Sequence, residues 1–238
     1  MRAEKRRSIS SPAAAARHVL AIAAAMLLLS SPIARAGFIT IDPAGIDAIF
    51  SQPSFDGTPI AIRFNPPQTI VDPDLLVIKT QADLMALLAL APDPAPTVDA
   101  FFVDQIDACG FPEPGIGGLV HGCAQLPGHV FVEESDSAAM TPATLMGHEL
   151  GHNLDLQHDF FDGANLMGPL YPHGPGLTED QVAIILESPL VQTDPTGQRF
   201  IEITPIAIVA ASEPATLLLL GAGLGGLLIA AAAKRKPL

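Results

Sequence analysis

The residues whose types and spacing could do chemistry are His148, Glu149, His152 and His158. On a helix of about 3.6 residues per turn, His148 and His152 share a face, so their imidazoles can reach one metal ion. Glu149, beside the first, can reach a water on that metal. His158 lies too far up and around a continued helix to join them. The helix must stop near Asp155, and the chain turn back, for His158 to become the third ligand. Three imidazoles leave a fourth tetrahedral position open for water, which for zinc is a catalytic arrangement rather than a structural one. Chance supplies one His-Glu-x-x-His in a chain of this composition at about 0.8 %, and a further His at one fixed place lowers that about thirtyfold. The bland alternative, an amphipathic helix with surface or satisfied core histidines, is the weaker reading. The expected chemistry is hydrolysis of a peptide bond by a zinc-activated water, with Glu149 as general base and His148, His152 and His158 as ligands.

This stretch resembles the metzincin superfamily of metallopeptidases, most closely its matrixin-like and reprolysin-like branches. Their pattern is His-Glu-x-x-His-x-x-Gly-x-x-His, followed by a turn containing Met. The four residues above fit it, and Met167 in Asn165-Leu166-Met167 fits the Met-turn. The resemblance implies an α+β fold: a twisted mixed sheet, an active-site helix and a smaller C-terminal subdomain. It implies Met167 as an apolar floor beneath the metal. It also implies an edge strand, just before the active-site helix, that pairs with extended substrate; here that role falls on Val130, Phe131 and Val132. One position departs. The family Gly, left-handed where the helix ends, is Asp155, a substitution that costs about 1 kcal/mol there. Tyr171 lies four residues after Met167, where families with a zinc-bound Tyr place it two after, so it carries no ligand role.

Two rivals remain. A gluzincin-like site would take Glu179 or Glu187 as third ligand in place of His158. A non-catalytic cell-surface or matrix protein would retain the metzincin fold without the reaction, although it would have no need of Glu149.

Both ends read as targeting. Residues 1–36 form a secretory signal: a basic start at Arg2, Lys5, Arg6 and Arg7, an apolar run over 19–29, and a small-x-small site at Ala34-Arg35-Ala36. Residues 215–233 are long and apolar enough to span a bilayer, and Lys234-Arg235-Lys236 follows at once. With Ser212-Glu213-Pro214 before them, residues 212–238 resemble the PEP-CTERM sorting signal of Gram-negative bacteria. That resemblance implies an exosortase-like partner, transient anchoring in the inner membrane, and release or attachment at the cell surface. A plain C-terminal anchor is the alternative. Between these ends lies one domain, residues 37–211.

Without its ends the chain keeps only Arg63, Lys79 and Arg199 against 23 Asp and Glu, a net charge of −20. That charge disfavours nucleic acid and anionic membrane surfaces as partners, and a protein or peptide substrate is expected. Calcium is a minor expectation: Asp42, Asp72 and Asp74 are hard oxygen donors, but no EF-hand spacing appears. Cys109 and Cys123 are the only cysteines, and an exported chain favours a disulfide between them.

The patterning predicts strands over 38–41, 60–64, 98–106 and 129–133, with a further extended piece over 70–78 broken at Pro73. Helices are predicted over 43–50, from Thr80 to about Leu90, from Thr141 to about Leu154, and from the capping box at Thr178 to about Glu187. A closing strand over 200–208 is expected to be interrupted at Pro205. His121, His129 and His173 lack ligand spacing and read as loop or surface residues.

Overall fold

The computed structural model describes residues 36–109, 120–160 and 162–210. The predicted export signal, short of its last residue, and the predicted sorting signal lie outside them. Among the described residues no helix is long and apolar enough to cross a membrane.

The architecture is mixed α/β with a mostly parallel sheet. Helix α1 (Pro43–Ile49) begins where the Asp42 side chain accepts the Gly45 N–H, with Pro43 at the first helical position. Strands β1 (Ile60–Phe64) and β2 (Gln68–Val71) are separated by Pro66-Pro67. A short β3 (Val77–Ile78) leads to helix α2 (Gln81–Leu88), whose capping box joins Thr80 and Asp83. Then come β4 (Val98–Val103), β5 (Gln105–Ile106), β6 (Gly122–Ala124) and β7 (Val130–Glu134). Helices α3 (Ser135–Met140) and α4 (Pro142–Asn153) follow, then α5 (Glu179–Glu187), β8 (Gln192–Thr193) and β9 (Arg199–Val209).

The main sheet runs β1-β9-β4-β7-β6, with β2 and β8 also pairing to β9. β1, β2 and β4 are parallel to β9, and β7 is parallel to β4, whereas β6 is antiparallel to β7. Every residue of β4 is buried, as its continuous apolar run requires of a central strand. Ala100 and Phe102 pack into one core with α1 and α4, and Phe101 and Val103 into a second with α2. The sheet is thus covered on both faces, and α4 lies over β6 and β7.

Three expectations change. Residues 38–41 form no strand; the Phe38 N–H is donated to Ser135 Oγ instead of to a ladder. The C-terminal part is not wholly a separate subdomain, because β9 returns to the middle of the sheet. Nor does Pro205 interrupt β9. β1 pairs with residues 199–203 and β2 with 206–209, so Pro205 falls at the step between them. Its missing N–H faces the break between two partners, where no ladder bond is lost.

On the face away from α4, Asp99 is fully buried. It accepts the Asp93 backbone N–H through Oδ2, while Oδ1 has no hydrogen-bond partner. Burial pushes its carboxyl up to about 7; the Asp93 N–H opposes the shift and the Asp93 carboxylate reinforces it. An acid raised in the folded state contributes full stability below its unfolded value near 4, and that contribution is lost as pH rises towards 7. Asp99→Asn, which mimics the protonated form, is therefore expected to stabilise the fold by about 1–3 kcal/mol near pH 8 and to change little near pH 4. Urea melts at the two pH values check this.

Candidate metal centre

Helix α4 brings His148 and His152 to one side, both on backbone fixed by burial of Leu145, Met146 and Leu150. The helix stops as the third histidine requires. Asp155 takes φ 73°. Around it the Leu156 N–H reaches Gly151 O (2.9 Å) and the Asp155 N–H reaches His152 O (3.0 Å), a paired helix-ending motif normally built on Gly. The chain then turns back, and the Nε2 atoms of His148 and His158 each lie 3.2 Å from His152 Nε2.

The contact between His148 and His152 is not a hydrogen bond. His148 donates Nδ1–H to Leu166 O (2.7 Å) and His152 donates Nδ1–H to Leu156 O (2.8 Å), so their Nε2 atoms carry lone pairs. Burial, with the neighbouring imidazoles, holds His148 well below its usual pKa, and burial lowers His152 to about 4. Both rings are neutral, as metal ligands must be. Two ligands about 2.0–2.1 Å from a tetrahedral ion stand about 3.3 Å apart, which is the spacing found here. His148, His152 and His158 lie close enough to hold one metal ion, and no other such group occurs among the described residues. Glu179 and Glu187 are not brought to it.

The turn at Met167 is held from α5. Gln181 of its capping box exchanges bonds with Asn165, whose Oδ1 accepts the Met167 N–H (2.8 Å). Met167 is fully buried beneath α4, where a Cβ on Gly151 would come within 2.5 Å of its sulfur. Asp159 N–H donates to Met167 O (2.8 Å), tying the third-histidine segment to the same turn.

Glu149 is buried, and burial pushes its carboxyl up to about 8. It sits where a side chain on Gly122 would be, since a Cβ there would collide with its carboxylate. Glu149 and the three histidines open on a cleft of about 800 Å³. Leu84, Met85 and Leu88 of α2 form one wall, β6 and Leu126 another, and Phe160 stands at the rim against His158.

The predicted edge strand needs correction. Val130, Phe131 and Val132 lie in β7, which is paired on both sides, with β4 and with β6. All three side chains are buried. The strand at the sheet's end beside the cleft is β6, and among the described residues nothing pairs with its outer side. Its three residues are too short a run between turns to stand out as a strand in the sequence.

Cys109 and Cys123 are joined, and both line the cleft. The bond fastens β6 to the segment after β5. A Cys109→Ser, Cys123→Ser variant is expected to lose about 3 kcal/mol of stability, the value for closing a loop of this length. Denaturant unfolding without reductant measures it.

Thr141 starts α4 but makes no side-chain cap; its hydroxyl donates to Tyr171 Oη (2.9 Å) instead. Tyr171 donates in turn to Ser137 O and lies against the His121 ring (4.4 Å between centroids). Ser137 Oγ and Glu134 Oε2 both meet His121 at Nδ1 (2.6 and 3.0 Å). A nucleophilic triad needs hydroxyl and carboxylate on opposite ring nitrogens, so this group braces the site and supplies no second nucleophile. His173, expected as a loop or surface residue, lies in a loop, half-buried, where it stacks on His148 at 3.8 Å and donates Nδ1–H to Gly168 O. No spacing rule marks it, because a loop beyond the Met-turn brings it there.

No family model, curated protein or solved structure matches this chain.

Proposed function

We propose that this protein is an exported zinc-dependent endopeptidase of metzincin type. The observation that carries the reading is the convergence of three imidazoles beside a buried glutamate, at the floor of a cleft bordered by β6, whose outer side is unpaired among the described residues. The left-handed Asp155 and the buried Met167 are the two further features that the metzincin resemblance asks of the chain.

His148, His152 and His158 would hold the zinc, which when bound supplies Lewis acidity and lowers the pKa of water to about 7. Glu149 accepts the proton of the attacking water and passes it to the leaving amine. A nearby dication favours its carboxylate form against the upward push of burial. Leu166 O and Leu156 O fix the tautomers of two ligand rings. The outer side of β6 aligns an extended peptide by backbone pairing, and Met85, Leu126 and Phe160 offer it apolar contacts.

Zinc is preferred to a harder ion because three imidazoles and no carboxylate form the donor set. The disulfide fits an oxidising compartment. Export through residues 1–36, and sorting of residues 212–238 by an exosortase-like enzyme to the surface of a Gram-negative cell, complete the proposal. The acidic surface also leaves calcium as a stabilising ion, without a defined site.

Metal analysis combined with digestion of a peptide library tests the reading. One zinc per chain is expected, with cleavage that a chelator abolishes and added zinc restores. A zinc-loaded protein that cuts nothing in a broad library would favour the non-catalytic surface protein instead.

A further inference from the structure

Glu133 is fully buried in β7, and neither carboxylate oxygen has a hydrogen-bond partner. It stands directly opposite Gly122 in the antiparallel β6–β7 pair, so both residues address the same face of the sheet. That is the face on which Glu149 occupies the space over Gly122. Two carboxyl groups are therefore held side by side in the core. Among the described residues no Lys or Arg accompanies them: Arg63 binds Asp194 at the other end of the sheet, Lys79 is exposed, and Arg199 lies in β9, two strands from β7. Two adjacent buried negative charges would cost several kcal/mol without a compensating charge or proton.

Resting on the reading of Glu149 as the base, we propose that Glu133 is its positioning residue: a neutral carboxyl that turns its proton toward the Glu149 carboxylate and holds it aimed at the cleft. Glu133 carries a proton because it is wholly enclosed and neither of its oxygens accepts a hydrogen bond. Burial first and the Glu149 charge second push the Glu133 carboxyl well above its usual range, in the same direction. Gly122 is the third member of the arrangement. Any side chain there would drive the Glu149 carboxylate from its place over the strand pair.

The test pairs Glu133→Gln with Glu133→Leu in the zinc-loaded protein. Gln keeps a donor in the same place; Leu removes it. An infrared difference spectrum, wild type minus Glu133→Gln at neutral pH, is expected to contain a protonated-carboxyl stretch, with the Asp99 contribution cancelling. Turnover of a cleavable peptide should stay within about threefold for Glu133→Gln and fall about tenfold or more for Glu133→Leu, at unchanged KM and zinc content. The proposal is overturned by a difference spectrum without that stretch, by full turnover in Glu133→Leu, or by loss of bound metal in Glu133→Gln, which would make Glu133 a ligand. A wild type that cleaves no peptide would defeat the peptidase reading, while the infrared result still decides where the proton is.

Discussion

Glu149→Gln is expected to keep its zinc and its fold while peptide hydrolysis falls about 10²–10⁴-fold, the usual contribution of a general base. Gln is nearly isosteric and fits the space above Gly122 that a Cβ would fill. It can still hydrogen-bond to water in the cleft but cannot accept a proton near neutral pH. The metal should remain, because the three imidazoles that would hold it are positioned by Leu166 O, Leu156 O and the Asp155 turn. The substitution also removes a buried carboxyl that burial alone has raised to about 8. In metal-free protein the variant should therefore gain stability over wild type as pH rises from about 4.5, the difference being complete near 8. Hydrolysis by wild type and variant at matched zinc content is the measurement. A variant with near wild-type turnover would remove Glu149 from the mechanism.

The parts of the site that were legible in the sequence are those set by local geometry. Four-residue spacing places His148 and His152 on one helical face whatever the rest of the fold does. The capping boxes at Thr80 and Thr178 are likewise local, and both form. The Asp155 turn was legible as a requirement, since His158 could reach the others only through it. What stayed hidden depends on distant pairing. β9 lies about 100 residues from β4 in sequence, and its Pro205 read as an interruption because the step from β1 to β2 beside it has no local signal. The resemblance places the edge strand on Val130 to Val132, and the three residues of β6 that take the sheet's end instead carry no pattern of their own. A buried run such as Val130-Phe131-Val132 marks a strand with neighbours on both sides rather than an edge. That run also offered a clue to Glu133, the acid that continues it. A strand covered on both faces leaves its side chain no route to solvent.

His158→Ala separates the three-histidine site from its rival and is expected to weaken zinc binding about 10²-fold or more. Four-ligand zinc sites are worth about 10–16 kcal/mol, so one ligand carries about 3 kcal/mol, or somewhat over two decades in affinity. The loss should be larger than that of a surface histidine because His158 Nε2 stands 3.2 Å from His152 Nε2, within the ligand set itself. The Asp159 N–H to Met167 O bond holds the backbone beside it, so the variant should keep its Met-turn and its fold. Glu187 borders a different cavity with Asn153 and Asp155, and Glu187→Gln should leave zinc affinity unchanged. Competition titration with a chromophoric chelator gives both constants. Undiminished binding in His158→Ala, together with a loss in Glu187→Gln or Glu179→Gln, would replace the third histidine with a carboxylate.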